Sequence, residues 1–478
     1  MTGLPVTQRI ALIWFREDLR LHDNPALDHA CAHYDIIVPL YIHRPDEAGD
    51  WQPGAASRWW RHHGLHALDR ELRARGNALR IRTGRSSLDC LTQLARETGA
   101  QAVCWNRLYT PQAMERDNRI EARLQEAGLT VTHFKAGLLF EPREVLKDNG
   151  TPYRVFTAWW RRCQAQGLYQ PERPIPAAIP GRRDDAGGAG LDTLGLLPEL
   201  PWDGEFYRHW QPGETPARAR LERFMAASVA RYAHDRDYPA VAGTTRLSPY
   251  LHSGEISPRT LVNRALQQLN EPGSAMSRQS LERLVTEVGW RDFAAHILYH
   301  FPDSTTLAMD TRFRHFPWRR NYRTALRRWQ RGQTGFPVID AGMRELWHTG
   351  WMHNRVRMLV ASFLTKNLLI PWQEGARWFW DTLLDADLAS NTLGWQWVAG
   401  CGTDAAPFFR IFNPVTQGKK FDPAGDYVRR WVPELAGLDS RRIHEPWKSG
   451  LDLNYPEPMV DLQVSRNRAL EAFRSLRG

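Results

Sequence analysis

The spacing of apolar residues changes once along this chain, and that change constrains the fold more than any other feature. Up to residue 135, short β-branched runs alternate with amphipathic stretches. RIALIWF (9–15), DIIVPLYIH (35–43), ALRIRTG (78–84), AVCWN (102–106) and TVTHFK (130–135) are separated by segments such as SRWWRHHGLHALDRELRARG (57–76). Strands alternating with helices predict βαβ units, hence a doubly wound, Rossmann-like parallel sheet with helices on its faces. After residue 205 strand signals almost vanish, while PARARLERFMAASVARYAHDR (216–236), RQSLERLVTEVGWRDFAAHILYHF (278–301) and NRVRMLVASFLTKNLL (354–369) carry helical spacing. The intervening 136–205 is rich in Pro and Gly, with PERPIPAAIPGRRDDAGGAG (171–190) at its centre. The expectation is an α/β domain over 1–135, a linker over 136–205 and an all-α domain over 206–478. A chain of 478 residues is long enough for two cores.

No apolar run is long enough to span a bilayer, and the start of the chain lacks a basic stretch followed by an apolar one and a cleavage site, so a cytoplasmic protein is expected. Five cysteines, at 31, 90, 104, 163 and 401, form no C-x-x-C pair, which disfavours a disulfide scaffold and a metal site. A formal charge of +10 fits a polyanionic partner such as nucleic acid and fits a generally basic background equally well. The 21 tryptophans say only that large flat surfaces are packed or presented.

The segment LLDADLASNTLGWQWVAG (383–400) poses the sharpest question. As a helix it puts Asp387, Asn391 and Trp395 on one face, and a buried carboxylate or amide needs a partner. GCGTDA (400–405) matches a loose dinucleotide-binding pattern but follows a Trp-rich helix instead of a strand. GTTRLSPYL (243–251) offers hydroxyls and free N–H groups to an anion, and reads as readily as a helix cap. In EVGWRDF (287–293), Glu287 and Arg291 are spaced for an ordinary i,i+4 salt bridge. GWMHNRVRM (350–358) again mixes tryptophan with an amide and arginines. Each segment alone has a structural explanation; three of them in one helical half point to a shared pocket for a flat, polar ligand.

These motifs carry a resemblance. IWFREDLRLHDNPAL (13–27) resembles the opening strand and helix of the photolyase and cryptochrome family. GTTRLSPYL, EVGWRDF, TGFPVIDAGMRELWHTGWMHNRVRM (334–358) and LLDADLASNTLGWQWVAGCGTDAAPFFRIFNP (383–414) follow in that family's order. The resemblance covers nearly the whole chain and is closest to the class I bacterial photolyases of cyclobutane pyrimidine dimers. It implies an antenna-chromophore α/β domain and a helical FAD-binding domain. By position, Tyr232, Thr244, Thr245, Arg246, Leu247 and Ser248 resemble the elements holding the FAD phosphates. Asp385, Ala386 and Asp387 match the stretch near the ribityl chain and ring, with Arg357 the ion partner of Asp385, and Asn391 matches the amide facing flavin N5. Trp395, Trp372 and Trp318 resemble the relay that photoreduces the flavin.

For the substrate, the family implies that Trp290 and Trp397 clamp a flipped-out dimer, Met358 packs on it and Glu287 bonds a pyrimidine, while Arg291, Asn354 and Arg355 contact the dimer or its flanking backbone. The implied partner is UV-damaged DNA, bound by a monomer. The implied reaction is electron transfer from light-excited FADH⁻ to the dimer, ring splitting and return of the electron. A six-four photolyase is expected to have His at Asn354, and a plant-type photoreceptor Asp at Asn391. The second chromophore stays open between methenyltetrahydrofolate, a deazaflavin, a flavin and an empty cleft, because Gln112-Ala113 and Thr306-Leu307 stand where folate-binding members carry Asn-Glu and Cys-Lys.

Overall fold

The structure is a computed structural model, which describes residues 8–181, 190–271, 277–404 and 409–477. Two stretches of the motifs above, 182–189 of the Pro/Gly-rich segment and 405–408 of the last one, lie outside the described residues.

Five parallel strands, β1 (Ile10–Phe15), β2 (Ile36–Ile42), β3 (Arg80–Arg82), β4 (Ala102–Asn106) and β5 (Thr130–Phe134), form a sheet of order β3-β2-β1-β4-β5. The alternation of β1 explains why it sits at the centre. Ala11, Ile13 and Phe15 enter a core on one face; Leu12 and Trp14 enter another on the opposite face. A strand buried on both sides reads as an unbroken apolar run, as IALIWF does. The covering helices are α1 (Pro25–His33), α2 (Ala55–Arg73), α3 (Ser87–Thr98) and α4 (Pro111–Glu126). Helix α1 begins with Asn24 accepting from the Leu27 N–H and Pro25 at the first turn, where its missing N–H costs nothing. Helix α3 starts on Ser86 and ends at Gly99, whose φ of 73° suits a residue without Cβ.

The segment expected as linker is not all connection. Residues 156–166 form a helix, α5 (Phe156–Gln166), and its Phe156, Trp159, Trp160 and Cys163 are buried in a core shared with the helical half. The Pro/Gly content around 171–190 masked this helix, whose own apolar face is short.

Beyond it lie α6 (Glu214–Ala227), α7 (Pro258–Leu269), α8 (Arg278–His300), α9 (Pro337–Thr349), α10 (Asn354–Ser362), α11 (Trp372–Thr382), α12 (Leu388–Ala399) and α13 (Leu462–Arg474). A π-helical turn, Phe363–Asn367, extends α10. Among the described residues, no helix is long and apolar enough to cross a membrane. Buried polar groups fasten the two halves. Arg259 Nε donates to Asp23 Oδ2 (2.7 Å), and Glu214 Oε2 accepts from the Leu21 N–H (2.7 Å). Asp292 Oδ2 accepts from the N–H groups of Leu139 (2.7 Å) and Phe140 (3.0 Å). Burial of Asp292 pushes its carboxyl up to about 7, and burial of Glu255, which accepts from Trp60 Nε1, up to about 8.

Candidate active site

Helix α12 answers the question posed by its sequence. Asp387 is its N-cap, accepting from the Ser390 N–H at 2.7 Å, and Asn391 and Trp395 follow at one-turn intervals. Asn391 Nδ2 donates to Ala376 O on α11 at 3.0 Å, which orients the amide. Trp395 lies against Gly375, where an added Cβ would fall 2.0 Å from the indole; this glycine is required by the close approach of α11 and α12.

Just before α12, Asp385 is almost fully buried. Its Oδ2 accepts from Arg357 Nη2 at 2.8 Å, but its Oδ1 is buried with no partner among the described residues. A buried carboxylate oxygen without a donor is costly, on the order of 1–3 kcal/mol. The residues therefore fit a bound group that offers N–H or O–H donors. Arg357 is held in place by Met352 O (2.7 Å), and its guanidinium lies 5.9 Å from the Trp351 ring centroid.

The turn 243–248 closes another side. Trp351 Nε1 donates to Ser248 Oγ at 3.2 Å and Thr245 Oγ1 accepts from the Leu247 N–H at 3.2 Å. Arg246, between them, adopts φ 52°, a left-handed conformation that side chains other than glycine adopt infrequently. Its guanidinium sits 4.5 Å over Trp351 and 3.8 Å from Glu345. Tyr232 is buried, and burial pushes its phenol up to about 12, so it stays a neutral hydroxyl.

Helix α10 carries the link to the outside. His353 caps it, Nδ1 accepting from the Arg355 N–H (3.2 Å), and burial holds its imidazole down at about 3. Asn354, Arg355 and Met358 line an open cavity of about 540 Å³ together with Arg236, Asp237 and Arg283. Arg355 donates to Asp237 (2.6 Å) and lies 4.4 Å over Phe421. Glu287, on α8, is bound by Arg236 and, at 3.2 Å, by Arg283.

Two expectations change here. The i,i+4 bridge between Glu287 and Arg291 does not form; Glu287 pairs one turn back and across to Arg236. Arg291 instead donates to Gly137 O (2.6 Å) and Leu251 O (3.3 Å), because α8 turns that face toward the seam between the halves. There it lines a smaller cavity with Asn106, Tyr109 and Asp387, away from Asn354 and Arg355.

Trp290 stacks on Phe156 of α5, with centroids 3.7 Å apart and planes 11° apart. The neighbouring Gly289 admits Trp160 so closely that a Cβ would meet its ring at 2.6 Å. Trp397 packs half-buried on the core that contains Trp395 and Trp372, with Trp318 at its edge, 4.4 Å from Phe316. The ring neighbours of Trp395 are Trp329 (6.3 Å) and Phe379 (5.0 Å). Phe156, Arg236 and Asp237 were not singled out from sequence. Arg236 alone left a signal, one helical turn after Tyr232.

A second cleft opens at the carboxyl ends of the strands, where the helices that follow the paired strands β1 and β4 cover opposite faces of the sheet, the usual ligand position of a doubly wound sheet. Trp14, Arg16, Tyr41, Arg44, Arg116 and Trp380 line it. Gln112 and Ala113 are on its wall. Trp14 Nε1, Arg16 Nε and Arg44 Nε are buried without partners among the described residues.

The comparisons match both halves. Residues 284–475 match the FAD binding domain of DNA photolyase, and residues 11–180 match the DNA photolyase family. The chain belongs to the photolyase and cryptochrome family. It is 43% identical to the deoxyribodipyrimidine photo-lyase of Agrobacterium fabrum across 98% of both chains. It is 36% identical to cryptochrome-2 of Arabidopsis thaliana, over 98% of this chain and 79% of that one. Among solved structures, a bacterial class III photolyase from Agrobacterium tumefaciens superposes with a TM-score of 0.94 at 40% identity, covering 100% of this chain and 99% of that one. Class I, expected from the motifs, is thus not fixed. The helical half is an FAD-binding domain, and the partnerless Asp385 oxygen lies within it.

Proposed function

We propose that the chain is a light-dependent DNA-repair enzyme that splits cyclobutane pyrimidine dimers, with FAD held by Arg357, Asp385, Asn391, Tyr232 and the turn 243–248. The observation that carries this reading is the double duty of α10: Arg357 reaches inward to Asp385, while Asn354, Arg355 and Met358 line the open cavity. A buried cofactor face and a DNA-facing mouth thus share one helix. The curated photo-lyase at 43% identity supports the reaction class.

Reduced FAD, when bound, supplies the electron under blue light. The protein's residues do the rest. Arg357 neutralises Asp385, and Asn391, fixed through Ala376 O, presents its carbonyl oxygen as an acceptor. Photolyases are among the enzymes that extrude their target from the duplex. Glu287 exchanges its arginine partners for an N–H of the flipped pyrimidine, and Trp290, backed by Phe156, gives it a flat wall. Arg236 and Arg355 meet the flanking phosphates, the usual source of affinity for DNA. Trp395, Trp372 and Trp318 serve photoreduction. In the α/β cleft, aromatic walls and arginines with partnerless Nε atoms fit a flat, anionic second chromophore, a folate or a deazaflavin.

The test is illumination of the FAD-loaded protein, with reductant, in the presence of oligothymidine carrying cyclobutane dimers. Recovery of thymine absorbance supports the reading. A flavin that reduces normally without thymine recovery, or recovery only with a six-four photoproduct, refutes the assignment and favours a photoreceptor or a six-four enzyme respectively.

A further inference from the structure

The metal expectation drawn from sequence rested on cysteines, and α2 carries a different pattern. His62 and His66 are four apart in RHHGLH, so their imidazoles share a face. Asp192, from the short turn Leu191–Leu194, comes down on that face. One ligand atom from each of the three residues lies within 4.8 Å of the others. Asp192 Oδ1 is 3.3 Å from His66 Nε2 and 3.7 Å from His62 Nε2. In a tetrahedral zinc site, ligand bonds of roughly 2.0–2.2 Å place neighbouring donor atoms about 3.3 Å apart, so two of the three edges are already near their bound length.

A surface ion pair between His66 and Asp192 would explain those two residues, because both are exposed and such pairs contribute little. It does not explain His62. That side chain is 7% exposed, and its nearest acidic group is the Asp192 carboxylate, beyond hydrogen-bond distance. A buried imidazole aimed at a carboxylate it does not touch leaves room for something between them.

We propose that His62, His66 and Asp192 form a site for a first-row divalent cation, zinc by the character of the ligands, with water in the fourth position. Two imidazoles and one carboxylate favour zinc, cobalt or nickel over magnesium or calcium, which take all-oxygen shells. The open side of the site faces solvent, since Asp192 is 81% exposed. Leu191 and Leu194 pack on the core of the α/β half, so the metal would clamp this turn onto α2. The site shares no residue with the flavin site or the α/β cleft, which gives it a structural role independent of repair.

The experiment uses the tag-free, FAD-containing protein, stripped of metal by a mild chelator, and titrates it with zinc alone by calorimetry. One saturating equivalent is expected, together with a rise in thermal midpoint as zinc exceeds its dissociation constant. His66→Ala and Asp192→Asn alter exposed side chains and are checked for folding by unchanged flavin absorbance. Each removes one of three ligands, and loss of affinity of roughly tenfold or more in either supports the site. No saturating equivalent in the parent, or binding as tight as the parent's in both variants, overturns it.

Discussion

The two halves build their clefts by different means. In the α/β half the cleft falls where strand order puts it. Trp14 lies in β1, Arg16 just after it, His43 and Arg44 just after β2, and Leu108 shortly after β4, so knowing the order of the strands is nearly enough to place them. In the helical half the site is assembled from Tyr232, 243–248, Glu287, Trp290, 354–358 and 385–391, segments that no periodicity brings together. What joins them is tight packing at a few points: Gly289 against Trp160, Gly375 against Trp395, and the buried pair of Arg357 with Asp385. A cleft given by topology tolerates change in its walls; one given by packing depends on single contacts.

That contrast can be attacked directly. The largest effect is expected from Arg357→Ala, which leaves the Asp385 carboxylate buried and unpaired at a cost of about 3–5 kcal/mol. Denaturant unfolding should show the loss, and the purified variant should carry little flavin by absorbance. Gly375→Ala should follow, because a Cβ driven into Trp395 costs about 1–3 kcal/mol. Its lowered thermal midpoint should be accompanied by slower photoreduction, and normal values of both would mean that α11 and α12 separate freely. Glu287→Ala should leave flavin content and stability near those of the parent. Repair yield should fall roughly tenfold, the order of one lost hydrogen bond to a charged group, and an unchanged yield would remove Glu287 from the substrate site.

The last effect concerns the seam. Asp292 is protonated in the folded protein up to about pH 7 but ionises near 4 when unfolded. Between those values the native state binds the extra proton, so stability falls as pH rises through that window and the contribution is gone above it. Asp292→Asn keeps an acceptor for Leu139 and Phe140 and should flatten the decline between about pH 4 and 7 in thermal midpoints. An unaltered slope would place the pH dependence on the other buried carboxyls that burial pushes up, Glu255, Asp340 and Glu345.

The sheet was legible because β1, β2 and β4 are buried on both faces and read as unbroken apolar runs, while the edge strands β3 and β5 showed as short runs bearing β-branched residues. All five appear within two residues of their expected limits at either end. The long helices were legible for the same reason at a different period. Helix α5 was not, because eleven residues between Pro-rich stretches give too few turns to establish a period. Of the site, the stripe Asp387, Asn391 and Trp395 could be read because a single helix carries it. The partners of Glu287 could not: Arg283 and Arg291 stand one turn away on either side, and only the packing of α8 decides which of them is turned to the seam. The role of Phe156 behind Trp290 depends on a contact across 134 residues, beyond any local pattern.

Helix α8 runs the length of this arrangement. Glu287 meets the arginines at the mouth and Trp290 rests on α5, while Arg291 and Asp292 are anchored to the backbone at 137 to 140. These are adjacent turns in the middle of one rod, tied on one side to the segment that leaves the α/β half and on the other to the rim of the cavity. Rotation of one half against the other would have to swing that rod, and with it the wall of the open cavity. The seam and the mouth are therefore one lever, and slack introduced at Asp292 will be felt as play at Glu287.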